Sequence, residues 1–150
     1  MAIRRADFPL PDVTDHLTAP YFEGAAAGEL RVPRCDACDA WVWYPAEQCP
    51  ACTSAALAWR VTSGRGRLFS WAVVRRAFLP AFDDKVPFAS GLVALEEAPE
   101  VRLVTLLVDC EPDALAADDP MEAVFRPLTF ATVPGVAVVV PMFRPMGRST

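Results

Sequence analysis

Two cysteine pairs are the residues of this sequence whose type and spacing are best suited to chemistry. Cys35 and Cys38 form one C-x2-C pair, and Cys49 and Cys52 form a second pair after ten intervening residues. Two such pairs can direct four thiolates toward one tetrahedral metal ion, and a site closed by four sulfur ligands leaves no position for a reactive water. The spacing therefore predicts a structural metal site in a zinc ribbon, with these four residues as ligands.

The identity of the metal stays open at this level. Zinc is the metal expected for two C-x2-C pairs, but iron in rubredoxin-like sites uses the same ligands and geometry. Arg4 and Arg5 are not followed by an apolar segment of the kind found in secretory signals. We therefore expect a cytoplasmic, reducing location, in which the cysteines are metal ligands and not disulfides.

Other side chains with catalytic potential do not combine into a reactive group. Cys110 is the fifth cysteine and His16 is the only histidine, far from it along the chain. A cysteine nucleophile needs an adjacent base, and the G-x-S-x-G motif of serine hydrolases does not occur. We expect that the chain has no catalytic residues and is not an enzyme by itself.

A cationic and aromatic segment, Arg75 to Pro87, is the best candidate for ligand binding. It contains Arg75, Arg76, Phe78 and Lys85, whose charges suit phosphate groups and whose aromatic ring suits an apolar or planar group. The alternative is a solvated strand end with its aromatic residues packed on the protein. Gly64-Arg65-Gly66 superficially resembles a phosphate loop, but it precedes a predicted strand, so we interpret it as a bulge that opens that strand.

The elements that must position these residues are mainly β-strands, because prolines recur along most of the chain and leave no room for long helices. One short helix is predicted over Thr18 to Ala27, with Thr18 as N-cap and Gly28 as its end. The apolar runs after the cysteine pairs, bounded by turn residues, predict five strands: 67–74, 88–95, 101–108, 121–125 with an extension to 130, and 136–143.

Five such strands without helical crossovers predict a small closed barrel of the OB type, since closure removes exposed sheet edges. The expected organisation is an N-terminal arm and helix in residues 1–29, the zinc ribbon in 30–61 and the OB-fold barrel in 62–150. The net charge of −5 argues against a polyanionic partner such as nucleic acid, and no apolar run is long enough to cross a membrane.

The combined motifs resemble a family of small proteins with an N-terminal helix, a rubredoxin-like zinc ribbon and an OB-fold, which is associated with acyl-CoA metabolism. The matching segments are distributed over most of the chain: Tyr21-Phe22-Glu23-Gly24, Gly28 to Leu30, Cys35 to Cys38, Pro45, Cys49 to Cys52, Ser63 to Gly66, Val86-Pro87-Phe88, Leu92 to Glu96, and Val140 to Pro145. The chain departs from the family pattern at Asp39, where the family often has glycine, and at Asp119 and Pro120.

The resemblance implies a non-catalytic partner of thiolase-fold enzymes, namely ketothiolases, acyltransferases or the lipid-transfer-protein-like aldolases that cleave steroid CoA thioesters. Such a subunit docks on the catalytic enzyme in a hetero-oligomer and helps to bind acyl-CoA, a role in lipid metabolism and steroid degradation. The aromatic residues Trp41, Trp43 and Tyr44 are the expected docking contacts. Two alternatives remain: a nucleic-acid-binding zinc-ribbon and OB module, and a stand-alone acyl-CoA-binding protein.

Overall fold

The computed structural model describes residues 5–147. Within that range, no helix is both long and apolar enough to span a bilayer. One α-helix and seven β-strands follow one another along the chain: α1 (Ala19–Ala26), β1 (Arg31–Cys35), β2 (Leu57–Val61), β3 (Arg65–Val74), β4 (Phe88–Leu95), β5 (Arg102–Leu107), β6 (Pro120–Thr129) and β7 (Ala137–Pro145). Two single 3-10 turns, Pro80–Phe82 and Pro112–Ala114, lie in the connections after β3 and β5.

The helix α1 begins and ends close to the predicted positions. Thr18 occupies the N-cap position, as predicted. Its side chain makes no capping hydrogen bond. Pro20 lies in the first turn, where its missing N–H costs nothing. Gly28 has a φ of 75° just past the C-terminus, a conformation that glycine adopts without strain. The helix packs against β7 and β1.

The strands form two sheets. β1 and β2 pair antiparallel in a two-stranded ribbon, with Arg31 opposite Val61 and Cys35 opposite Leu57. The other five strands form a closed barrel in the order β3-β4-β5-β7-β6. The mainly β fold with a short helix and a five-stranded barrel, as predicted, is confirmed.

Barrel closure depends on short contacts at both seams. β5 and β7 run parallel and pair through Leu107 and Phe143, whereas β3 meets β6 through Arg65–Arg67. The bulge of β3 lies between Leu68 and Ser70, where the register against β4 shifts, and not at Gly64 to Gly66 as predicted. Gly64 instead supplies a left-handed turn, with a φ of 73°, immediately before the strand.

The ribbon and the barrel share one hydrophobic core. Val93, Leu103, Met121 and Phe143 fill the barrel, and Leu30 and Val32 from the ribbon side are buried in the same cluster. Any distortion of the ribbon is therefore transmitted to the barrel through packing. The division of the chain at residues 29/30 and 61/62 stays a prediction.

The N-terminal arm, described from Arg5 onward, packs against the barrel. Leu10 is buried in a second, smaller cluster with Ala81, Phe130 and Val133 at one end of the barrel. The side-chain guanidinium of Arg5 also donates a hydrogen bond to the Leu10 carbonyl. Residues 1–4 of the arm lie outside the described residues.

Candidate metal centre and ligand loop

The two turns that carry the cysteines bring the four sulfur atoms together. All four Sγ atoms lie within 4.8 Å of one another, and the Cys35–Cys52 and Cys38–Cys49 sulfurs are 3.6 Å and 3.7 Å apart. These distances exceed the roughly 2.05 Å of a disulfide. A tetrahedral ion with metal–sulfur bonds of about 2.3 Å holds its ligands about 3.8 Å apart. The four cysteines are therefore positioned to bind a metal.

A left-handed residue follows each cysteine pair and closes its turn. Asp39 has a φ of 63° and Thr53 a φ of 66°. Their N–H groups donate to the carbonyls of Cys35 and Cys49 at 2.9 Å and 2.8 Å. Aspartate tolerates this conformation, so the substitution for glycine at position 39 leaves the turn intact.

Backbone N–H groups point at the sulfur atoms and favour thiolates. Hydrogen bonds from the Cys52 and Ala51 N–H groups lower the pKa of the Cys49 thiol to about 7, against the opposing effect of burial. The Ala40 N–H is also directed at the Cys38 sulfur and the Ser54 N–H at the Cys52 sulfur, but burial and the neighbouring cysteine sulfurs together outweigh these donors and raise the pKa of both thiols. Thiolates held by N–H donors are the ligand form that zinc and iron require.

The candidate metal centre lies at the surface of the ribbon. Cys35 and Cys49 are buried with Val42 in a small cluster of their own, while Cys38 and Cys52 are exposed. Four ligands complete a tetrahedron, so the arrangement suits a structural ion and leaves no open coordination position for substrate.

Aromatic side chains from α1 and from the loop between the cysteine pairs lie near the ribbon; we call them the aromatic edge and define it as Tyr21, Trp41, Trp43 and Tyr44. Trp43 lies between Tyr21 and Tyr44, at centroid distances of 5.2 Å and 5.6 Å. Tyr21 and both tryptophans pack partly against the common core, whereas Tyr44 is 68% exposed. The edge therefore combines a buried base with an exposed aromatic tip.

The β3–β4 connection is held to the barrel by its middle and exposed at its tip. Phe82 stacks on Phe88 at 5.9 Å and meets Phe130 edge-on at 5.4 Å. Phe78 is 85% exposed, and the Arg76 guanidinium lies 5.9 Å from its ring. A shallow apolar groove of about 190 Å³ runs between Phe78, Phe82 and the ends of the two strands.

The four predicted ligand residues of this connection do not form one cluster. Arg76 and Phe78 are together, but Arg75 pairs with Asp113 at 3.2 Å. The Lys85 ammonium lies 5.3 Å from the ring of Phe130. Phe130 was not identified from the sequence, because its role depends on a contact between loops far apart in the chain.

Cys110 and His16 are not partners. His16 Nε2 lies 2.5 Å from a carboxylate oxygen of Glu47 in the ribbon, which joins the N-terminal arm to the second cysteine turn. Cys110 is half-buried, and burial together with Asp109 and Glu111 raises the pKa of its thiol. A neutral thiol without a base is a poor nucleophile.

Two family models match consecutive parts of the chain. The rubredoxin-like zinc ribbon domain of ChsH2 matches residues 22–58, and the C-terminal OB-fold domain of ChsH2 matches residues 59–126. The boundary between the two matches falls within β2 (Leu57–Val61). The first match contains all four cysteines of the metal centre.

Two curated relatives share part of their length with this chain. A DUF35 domain-containing scaffold protein of Methanothermobacter thermautotrophicus is 38% identical over 64 residues, which cover 43% of this chain and 46% of the relative. A probable enoyl-CoA hydratase alpha subunit of Thermomonospora curvata is 34% identical over 101 residues, covering 67% of this chain and 30% of the relative. The chain thus spans less than half the length of either protein.

The fold also has a solved counterpart, described as the Ltp2-ChsH2(DUF35) aldolase. It superposes with a TM-score of 0.75 at 30% sequence identity, and the match covers 90% of this chain and 98% of that one. With the two domain matches and the four-cysteine turns, this likeness extends over nearly the whole described chain. The chain therefore belongs to the DUF35 family, and its zinc ribbon and OB-fold match the corresponding domains of ChsH2.

Proposed function

We propose that the chain is a non-catalytic auxiliary subunit that docks on a thiolase-fold enzyme and helps to bind its acyl-CoA substrate. The observation that carries this proposal is the likeness to the Ltp2-ChsH2(DUF35) aldolase over 98% of that chain. The scaffold name of the Methanothermobacter relative and the enoyl-CoA hydratase name of the Thermomonospora relative support it. In this proposal the partner enzyme supplies the nucleophile and base.

The metal centre serves this function as a structural element. We infer zinc as the ion, with Cys35, Cys38, Cys49 and Cys52 as its ligands, because the sulfur distances fit a closed tetrahedral site. A bound ion would hold the two cysteine turns in one arrangement and so fix the aromatic edge beside them. Iron is the alternative ion for the same ligands.

The aromatic edge is the proposed docking surface. Exposed aromatic residues on a rigid base are typical anchors of protein interfaces. Tyr44 projects into solvent, while Trp43 and Tyr21 fix its position from below. Complete burial of these rings would argue against docking, but Tyr44 is 68% exposed.

The β3–β4 connection is the proposed contribution to acyl-CoA binding. Arg76 is a described cation without a carboxylate partner, and Phe78 beside it is almost fully exposed. Arg76 would contact a phosphate, while Phe78 would cover an apolar part of the ligand. Arg75 and Lys85 would reach the phosphates only by leaving Asp113 and Phe130. The shared site would form between this connection and the partner enzyme.

The docking proposal can be tested by co-expressing the chain with thiolase-fold proteins encoded in the same genome. We expect one of them to co-elute with it in size-exclusion chromatography as a complex of fixed stoichiometry. Tyr44→Asp should abolish co-elution, because it places a charge in the desolvated centre of the interface, whereas Tyr44→Phe should retain it. Co-elution that is indifferent to Tyr44→Asp would reject the aromatic edge.

The ligand proposal is tested on the same complex by calorimetry with acyl-CoA. Arg76→Ala and Phe78→Ala should each weaken binding several-fold, since each removes a contact made only by this loop. Arg60→Ala is the matched control, because Arg60 is exposed on β2 and paired with Asp36. Affinities unchanged in Arg76→Ala and Phe78→Ala would assign acyl-CoA binding to the enzyme alone.

A further inference from the structure

The N-terminal arm, residues 5–18, is attached to the rest of the chain at two separate points. Leu10 is only 2% exposed and lies in the apolar cluster at one end of the barrel. Further along the arm, His16 Nε2 lies 2.5 Å from a carboxylate oxygen of Glu47, in the segment between the two cysteine pairs. The arm therefore runs from the end of the barrel to the ribbon before it enters α1 (Ala19–Ala26).

The first attachment involves the connection that carries the proposed ligand residues. Leu10 packs in a small cluster whose other buried members are Ala81, Phe130 and Val133. Ala81 is in the 3-10 turn of the β3–β4 connection, whereas Phe130 and Val133 are in the connection between β6 and β7. One side chain of the arm thus joins both connections at this end of the barrel.

The turn that contains Ala81 has no main-chain tie to the barrel. Within residues 5–147, the main-chain hydrogen bonds of residues 79–86 stay inside that segment. The N–H of Phe82 donates to the Leu79 carbonyl, and the N–H of Lys85 donates to the Phe82 carbonyl, both at 3.0 Å. The position of the turn therefore depends on side-chain packing, to which the cluster around Leu10 contributes.

The arm is organised by its own hydrogen bonds around Leu10. The Leu10 N–H donates to the Asp7 carbonyl at 2.8 Å, and the Arg5 guanidinium binds both the Asp7 carboxylate and the Leu10 carbonyl. The N–H of Thr14 donates to the Asp12 carboxylate at 2.9 Å and forms the next turn. A segment ordered in this way loses less conformational entropy when its side chain packs on the barrel.

We propose that the N-terminal arm is a strap that ties the β3–β4 connection to the ribbon, with Leu10 as its positioning residue. The strap ends on the ribbon at Glu47, three residues after Tyr44 of the aromatic edge. It therefore links the segment proposed for docking to the connection that carries Arg76 and Phe78. Its relevance to acyl-CoA rests on the proposed function, but the strap itself acts in the isolated chain.

Lysyl endopeptidase tests the strap on the full metal-loaded chain, because Lys85 is the only lysine and lies in the β3–β4 connection. Cleavage requires local opening of this connection, so its rate reports how firmly the connection is held. Leu10→Asp should be cut roughly tenfold faster than the native chain, since an unpaired carboxylate is not tolerated in an apolar cluster. Leu10→Ala should give an intermediate rate.

Val13→Asp is the matched control for Leu10→Asp. Val13 lies on the same arm but is 39% exposed, so the variant makes the same change of charge without disturbing the cluster. We expect it to be cut at the native rate. Equal rates in Leu10→Asp and Val13→Asp would overturn the strap.

Amide hydrogen exchange at about pH 6, where histidine is largely protonated, tests the attachment to the ribbon. The amides of Phe82 and Lys85 should exchange faster in His16→Ala than in the native chain, but more slowly than in Leu10→Ala, because Leu10 still anchors the arm. Unchanged exchange in His16→Ala would overturn the tie to the ribbon.

The same exchange data separate a strap from a general support of the fold. In Leu10→Ala, the amides of β4 and β7 should keep their native exchange rates. Faster exchange throughout these strands would show that Leu10 stabilises the whole barrel, and would overturn its role in positioning the connection. These measurements include neither acyl-CoA nor a partner enzyme, so their failure leaves the auxiliary-subunit proposal standing, and failure of co-elution leaves the strap standing.

Discussion

Two residues that follow the cysteine pairs have a positive φ, a backbone conformation that side chains with a Cβ atom disfavour. Thr53 is β-branched yet has a φ of 66°, where glycine carries no steric penalty. Asp39 occupies the equivalent position after the first cysteine pair with a φ of 63°, and aspartate tolerates it better. The two cysteine turns have the same backbone geometry but different intrinsic strain.

Replacing Thr53 by glycine should therefore stabilise the protein. We expect Thr53→Gly to raise the free energy of unfolding by about 1 kcal/mol, because the strain of a β-branched residue in this region is removed. Thr53→Ala is the matched control and should gain less, since alanine keeps a Cβ atom. Denaturant unfolding of the metal-loaded protein measures both. An unchanged or lower midpoint for Thr53→Gly would show that the turn is not strained.

The contact between His16 and Glu47 depends on pH, because it involves the protonation state of His16. A hydrogen bond to the Glu47 carboxylate, together with its charge, raises the pKa of His16 above its ordinary value of 6.5. The protonated form favours the contact, so the attachment of the arm is complete below the ordinary pKa and is lost as the pH rises through the raised value.

This pH dependence can be measured by NMR titration of the single histidine. We expect a midpoint above 6.5 in the native chain, and a lower midpoint in Glu47→Gln, which removes the charge but keeps the shape of the side chain. Asp113→Asn, which alters an exposed ion pair elsewhere, should leave the midpoint unchanged. Equal midpoints in the native chain and in Glu47→Gln would contradict the contact.

The ribbon and the barrel are linked elements, and an ion held by the four cysteines would stabilise both. Val32 of β1 and Leu30 just before it are buried in the barrel core. Loss of the ion would loosen the cysteine turns and, through these side chains, the packing of the barrel. The ribbon and barrel should accordingly unfold together.

Metal removal should lower the stability of the whole chain. We expect one metal ion per chain by elemental analysis, none in Cys49→Ser, and a single unfolding transition displaced downward by at least about 5 °C in that variant. Cys110→Ser should keep the ion and the transition, since Cys110 is not part of the four-cysteine cluster. Two separate transitions would show that the ribbon and barrel are energetically independent.

Gly66, at the start of β3, has no space around it for a side chain. A Cβ added to Gly66 would lie 2.4 Å from the carbonyl oxygen of Ala94 and 2.7 Å from Val93 Cγ1. Gly66→Ala should therefore destabilise the β3–β4 pairing by about 2–3 kcal/mol. Gly147→Ala, at a position with open space and no left-handed φ, should be neutral. Similar thermal midpoints for the two variants would refute the close approach.

One buried aromatic residue lies at the seam where β7 meets β5. Phe143 on β7 pairs with Ala123 of β6 and with Leu107 of β5, and its side chain is fully buried. The N–H of Val108 also donates to its carbonyl at 2.9 Å. Both the closure and the common core therefore depend on this residue.

Truncation of Phe143 should be severely destabilising. We expect Phe143→Ala to lower the free energy of unfolding by about 3–5 kcal/mol, the cost of a large cavity in a close-packed core. Phe78→Ala makes the same chemical change at an 85% exposed site and should alter stability little. Chemical denaturation of both variants gives the comparison, and similar losses would mean that Phe143 is not central to the core.

Local patterns were sufficient for much of the fold and for the metal site. The cysteine spacing predicted the four clustered side chains, and the predicted strand 88–95 agrees with β4 at both ends. Such features depend on neighbours in the chain, through turn geometry and through alternation of buried and exposed residues. The bulge was misplaced because its position depends on pairing with β4, which no local pattern records.

The spacing of residues and the positions of proline and glycine were enough to predict the four clustered cysteines, the five barrel strands along the chain and, within residues 5–147, the lack of long helices. The pairing of charges depends on the tertiary fold. Arg144 forms an ion pair with Glu122, whereas Arg65 and Arg67 line a groove at the start of β3. Likewise, Leu10 reaches Phe130 only because the chain folds back over the barrel. Contacts between distant residues depend on barrel closure, and short-range sequence periodicity carries no information about them.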